Sequence, residues 1–336
     1  MLLTHSITEA TGDAIACNER GLSRYSSGDR RGALADFQQA IDIRGDYPEA
    51  CNNAGIVLQQ LGRLDEAMKH FDDALALWPD YADALNNRGR LRHLQGDLAG
   101  AAEDLDMATS VANGSMVATV LHNRAMLRQA RGNLAGALAD FDRALEIAPE
   151  YVMTLRARGL ARKAADNFEG ALADFDRAVA LTPPAAAADV LHERGGVKVL
   201  LNDWAGAIAD YDQALALAPK FWLAFVSRGH ARYHRRDFGG VMDYRRALRL
   251  NAEGTVREIA RLVREDAARD PQAVLKNCNK HLRIDDRDPI ARARRCLTLA
   301  LLGRNAEAAE EMEAFRAMAP DLAGTLTQVL KTAAAM

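Results

Sequence analysis

The sequence predicts an all-α solenoid of antiparallel helix pairs, on three observations. A unit of about 34 residues recurs along nearly all of the 336-residue chain, with clear copies beginning at Asn52 (NNAGIVLQQLGRLDEAMKHFDDALALWP), His122 (HNRAMLRQARGNLAGALADFDRALEIAP) and Arg156 (RARGLARKAADNFEGALADFDRAVALTP). Self-similarity at that period belongs to helical arrays in which each unit buries its apolar face against the next. Small residues and prolines also return at fixed places in the unit. Finally, 49% of residues are apolar but only 6% are aromatic. Alanine and leucine dominate, a mix of strong helix formers suited to close helix-on-helix packing.

Each element follows when the first glycine of a unit is numbered position 8. That place holds Gly21, Gly55, Gly89, Ala125, Gly159, Gly195 and Gly229, and position 20 holds Ala33, Ala67, Ala101, Ala137, Ala171 and Ala207. Small residues at both places let helix A and helix B of a unit approach closely. Gly28, Gly62, Gly96 and Gly132 at position 15 open the turn between them, a role passing to Asp166, Asn202 and Arg236 in later units. Phe37, Phe71, Leu105, Phe141, Phe175, Tyr211 and Tyr244 at position 24 fill the space between helix B and the next unit. Pro79, Pro149, Pro183 and Pro219 at position 32 end helix B, with Pro320 in the last unit.

This pattern resembles the tetratricopeptide repeat in its 34-residue period, small residues at 8, 20 and 27, and proline at 32. The resemblance implies a right-handed superhelix of about nine units, near 14–47, 48–81, 82–117, 118–151, 152–187, 188–221, 222–253, 254–288 and 289–322. Residues 1–13 precede them as an N-terminal segment, and 323–336 read as a capping helix. Unit 254–288 diverges, because Arg261 and Lys280 stand at small-residue positions.

One correlation is internal to this chain. Position 7 is arginine wherever position 23 is acidic: Arg20 with Asp36, Arg88 with Asp104, Arg124 with Asp140, Arg158 with Asp174, Arg194 with Asp210, Arg228 with Asp243, and Arg295 with Glu311. Ala54 with His70 and Ala260 with Lys276 lose both members together. The spacing predicts a partly exposed bridge between helices A and B, worth about 0–1 kcal/mol.

Charge and motifs exclude several functions. A net charge of −3 gives no global attraction to nucleic acid or membrane. Cys17, Cys51, Cys278 and Cys296 show no CxxC and no histidine pairing, so neither a zinc site nor a disulfide framework is expected. The start, MLLTHSITEATGD, lacks a basic and an apolar signal region, and no apolar run reaches 18 residues, which together predict a cytoplasmic protein without membrane insertion. No phosphate loop, HExxH or GxSxG appears. The recurring acids of LADFDRAL read as a solvated face, since a catalytic pair would occur once. A non-enzymatic scaffold or adaptor without a cofactor is expected.

In the family's architecture, positions 2, 5, 6, 9, 12 and 13 of helix A line the concave groove. Asn53, Asn87 and Asn123 occupy position 6, with Asn52 and Asn86 beside them at position 5. An asparagine can pair with a peptide's C=O and N–H without reading its sequence. The row resembles the asparagine ladders of some tetratricopeptide superhelices, and the alternative is that it bonds a neighbouring helix. The basic residues of a chaperone-type carboxylate clamp are missing in register with it. His93, His122, His192, His230 and His234 also fall on groove positions with Arg90, Arg156 and Lys163, against few acids (Glu49, Asp83, Asp189). A mildly cationic groove suits a protein or extended peptide of acidic character. No metal site is expected, on the ground that successive histidines sit in different units.

The competing surface is basic. Residues 222–264 hold ten arginines against four acids, a net of +6, leaving the rest of the chain at −9. Arg228, Arg232, Arg235, Arg236, Arg245 and Arg246 with Tyr233 would suit nucleic-acid phosphates and a stacked base. Phe238 and Tyr244 are claimed by the repeat core.

Overall fold

The computed structural model describes residues 2–235, 237 and 239–334, with side chains described from residue 12 to residue 331 of that span. All regular structure among the described residues is helical. The chain divides into two compact parts, Met1–Asn167 and Phe168–Met336.

The first part holds α1 (Leu2–Ser26), α2 (Arg30–Ile43), α3 (Pro48–Gln60), α4 (Leu64–Leu77), α5 (Ala82–Gln95), α6 (Leu98–Val111), α7 (Met116–Ala130), α8 (Leu134–Ile147) and α9 (Val152–Ala164). Odd and even helices pack as pairs from α1·α2 to α7·α8, and each even helix also packs on the next odd one. Odd helices touch along the row, α1·α3 through α7·α9. α1 begins at Leu2, ahead of the boundary expected near residue 14.

The causes are local. Asp29, Asp97 and Asn133 cap α2, α6 and α8 by accepting from the backbone N–H of Gly32, Gly100 and Gly136. Gly28 and Gly62 turn the chain between helices at φ +88° and +77°, in the left-handed region that favours glycine. The other close tolerance is at Gly55, where a Cβ would stand 2.5 Å from the Phe71 ring. Phe71 is thereby shut between α3 and α4, and it joins Leu58, Ala67 and Leu91 in one core cluster that reaches α5.

The second part holds α10 (Phe168–Leu181), a 3₁₀ turn at Pro184–Ala186, α11 (Ala188–Leu200), α12 (Trp204–Leu217), α13 (Trp222–His234) and α14 (Gly239–Leu250). Then come α15 (Ala252–Arg269), α16 (Pro271–Leu282), α17 (Pro289–Leu301), α18 (Asn305–Met318) and α19 (Pro320–Ala334). Pairing continues in α11·α12, α13·α14 and α17·α18, but α15 packs against α13, α14, α16, α17 and α19. Val256, Ile259, Ala260 and Val263 of this 18-residue helix share one core with Leu297, Phe315 and Leu326. Arg261 does not disturb that core: it is exposed and paired with Glu258 and Glu265. All four cysteines are buried free thiols.

Candidate functional site

Six of the expected Arg–acid pairs form, and four of them lie deeper than partly exposed bridges. Arg124 Nε and Nη2 donate to both oxygens of Asp140 at 2.9 and 2.8 Å, and the side chains are only 15% and 6% exposed. Arg88 with Asp104, Arg194 with Asp210 and Arg228 with Asp243 repeat this fork. Arg20 binds Asp36, and Arg295 binds Glu311. Asp36, Asp104, Asp140, Asp210 and Asp243 each take a second cation from one turn further along helix A: Arg24, Arg92, Arg128, Lys198 and Arg232 in turn.

The sequence reading missed the third contact. Arg88, Arg124, Arg158, Arg194 and Arg228 also reach back to Asp72, Asp106, Asp142, Asp176 and Asp212 on the preceding helix B, at 2.6–3.0 Å. Of the twin acids of LADFDRAL only the second is exposed to solvent. The first is buried beneath its arginine and the second links one unit to the next. Their regular recurrence, two residues apart beside a recurring arginine, was the available signal.

The asparagine row also joins units. Nδ2 of Asn53 donates to Asn18 Oδ1 at 3.0 Å, Asn87 to Asn52 at 2.9 Å, and Asn123 to Asn86 at 2.7 Å. Asn18, Asn52 and Asn86 are buried between odd helices, so Asn52 and Asn86 are corrected from groove residues to acceptors inside the interface. Asn53, Asn87 and Asn123 are half-buried. Each uses one amide hydrogen in its bond, and an asparagine carries a second N–H and a carbonyl oxygen.

The histidines change role. His122 Nδ1 lies 3.0 Å from Thr154 Oγ1, and its ring rests against Phe141 and Tyr151. Burial lowers its pKa, so it adds no charge to a cationic groove at neutral pH. His192 makes the matching contact to Ser227 Oγ at 3.0 Å, between Tyr211 and Phe221. Arg90 is exposed and bonds Gln59 Oε1, while Arg156 and Lys163 are half-buried and engaged in polar contacts of their own. The spacing argument against a metal fails at His230 and His234, which stand one turn apart on α13 and converge with Asp266 of α15.

The basic segment is largely consumed by structure. Arg228 and Arg232 bind Asp243, and Arg245 binds Asp285 at 3.0 Å. Arg235 and Arg246 are exposed, and Arg236 and Phe238 lie outside the described residues. Tyr233 is not a spare stacking platform: it is buried, stacked on His281 at 4.4 Å, and its hydroxyl contacts Cys278 Sγ.

Family models of the tetratricopeptide repeat match residues 18–74, 52–115 and 118–151. Residues 18–115 and 118–151 are tetratricopeptide repeats. No curated protein matches the chain by sequence. Among solved structures, it is similar to Pseudomonas aeruginosa pilF at 18% identity and TM-score 0.57, over 63% of this chain and 94% of that one. PilW, a type IV pilus biogenesis factor, matches at 20% identity and TM-score 0.57, over 61% and 94%. A monomeric IFIT1 mutant bound to Gppp-AAAA matches at 16% identity and TM-score 0.59, over 91% and 71%. At such identities the likeness is one of fold. No described helix is long and apolar enough to cross a membrane.

Proposed function

We propose that the protein is a non-enzymatic scaffold that holds an extended, acidic peptide or partner segment along α3, α5 and α7. The observation that supports this reading most is the repetition of one half-buried amide per unit, Asn53, Asn87 and Asn123, each fixed by a bond to the preceding unit. Amides held at a regular step can meet the backbone of an extended chain without selecting its side chains. Fixing them beforehand lowers the entropy lost on binding. Arg90, exposed beside the row, with Arg156 and Lys163 further along, favours acidic ligands. The Arg–Asp forks recur in unit after unit as inter-helix ties, an arrangement suited to a rigid platform rather than to a single reacting centre.

The test compares partners captured by the full chain with those captured by an Asn53→Ala, Asn87→Ala, Asn123→Ala variant, identified by mass spectrometry. Affinity for the captured peptide should fall roughly a hundredfold at about 1 kcal/mol per lost bond. Binding should also weaken as salt is added. Equal affinity in the folded triple variant would reduce the row to a packing feature.

A further inference from the structure

We propose that His230, His234 and Asp266 form a binding site for one divalent metal ion of the zinc type, held between α13 and α15. The two imidazoles lie at i and i+4 on one face of α13, and Asp266 comes from the facing helix. His230 Nε2 is 3.7 Å from Asp266 Oδ1, and His234 Nε2 is 3.1 Å from Asp266 Oδ2. Ligand atoms of all three residues fall within 4.8 Å of one another. In a tetrahedral site with bonds of about 2.0–2.1 Å, neighbouring ligand atoms stand about 3.4 Å apart. The two histidine–carboxylate spacings bracket that edge, and the three ligand atoms would close toward it around an ion.

The surroundings hold the ligands in place. Trp204 stacks flat on His234 with centroids 4.3 Å apart. Arg294, fully buried and lying over the Tyr233 ring at 4.1 Å, donates to Asp266 Oδ2 at 3.2 Å and to the Tyr244 hydroxyl at 3.3 Å. Such outer contacts orient metal ligands and are part of a working site. His230 Nε2 faces Asp266, and its Nδ1 has no hydrogen-bond partner among the described residues, so this ring is positioned by packing.

Imidazole with carboxylate favours zinc, copper or nickel over magnesium or calcium. A cleft of about 220 Å³, lined by Asn202, Trp204, Asn277, His234 and Asp266, opens a fourth position to water or an anionic ligand. Arg294 already balances the charge of Asp266, so an anion in the fourth position would offset the charge the ion brings.

The test titrates Co(II), then Zn(II), into the chelator-treated full chain. One equivalent of Co(II) should produce the visible ligand-field bands of a low-coordinate nitrogen–oxygen site, and Zn(II) should displace it. His234→Gln and Asp266→Asn should each lose at least tenfold in affinity with unchanged helical circular dichroism, while His93→Gln on α5 should bind as the parent does. Absence of saturable Co(II) or Zn(II) binding to the parent chain would overturn the site, and so would undiminished affinity in folded His234→Gln. The cluster would then be an ion pair between Asp266 and Arg294 with two packed histidines.

Discussion

Asp140 accepts from Arg124 and Arg128 while almost wholly withdrawn from water. A buried carboxylate that loses a partner costs more than an exposed one, since its desolvation is no longer offset. A double-mutant cycle on Arg124→Ala and Asp140→Ala should therefore give a coupling of about 1–3 kcal/mol in urea unfolding. A coupling near zero would place the pair with ordinary surface bridges. The pairing itself was legible, because arginine and acid appear and vanish together at Ala54 with His70 and Ala260 with Lys276. Its depth was not. Which turn of helix A covers the carboxylate depends on how the two helices meet.

His122 supplies a prediction in pH. Burial between Phe141 and Tyr151 lowers its pKa, and His70 is lowered by burial too. Below about pH 6.5 the unfolded chain takes up protons that the folded histidines refuse. Stability is therefore greatest above that pH and falls on acidification, by at most about 1.4 kcal/mol per pH unit for each such histidine until it titrates in the fold. Urea midpoints at about pH 7 and about pH 5.5 should show this loss, and His122→Asn should show less of it. An equal loss in the variant would assign the acid sensitivity elsewhere.

Among the elements, the odd helices are joined by polar contacts that a sequence alone leaves ambiguous. Asn52 and Asn53 are adjacent in sequence, yet one is buried as an acceptor and the other half-buried as a donor. About 100° of helical rotation separates them, so a small change in how two helices cross decides which faces the groove. Asn18 belongs to the same set and was not singled out, since its unit has Glu19 rather than a second asparagine. The amides are therefore part of the packing. Each Asn→Ala change at position 6 should lower stability by about 0.5–1.5 kcal/mol as well as weaken ligand binding, read from urea midpoints of the single variants. α15 departs further from the repeat. Its apolar face meets α17 and α19 as well as its immediate neighbours, a long-range arrangement that a 34-residue period does not encode. The convergence of Asp266 on His230 and His234 was hidden for the same reason, being a contact between two different units.

Across the whole molecule, two kinds of surface compete for the partner: the amide row of α3, α5 and α7, and the basic helices α13 and α14. The first presents half-buried amides at a regular step, while three described arginines of the second, Arg228, Arg232 and Arg245, are bound to aspartates. The proposed partner is expected to lie along the amide row. Hydrogen–deuterium exchange of the full chain, with and without a captured peptide at saturation, tests it most directly. Protection is predicted in peptides spanning Asn53, Asn87, Arg90 and Asn123. Protection confined to residues 222–264, with the amide row unchanged, would contradict the account.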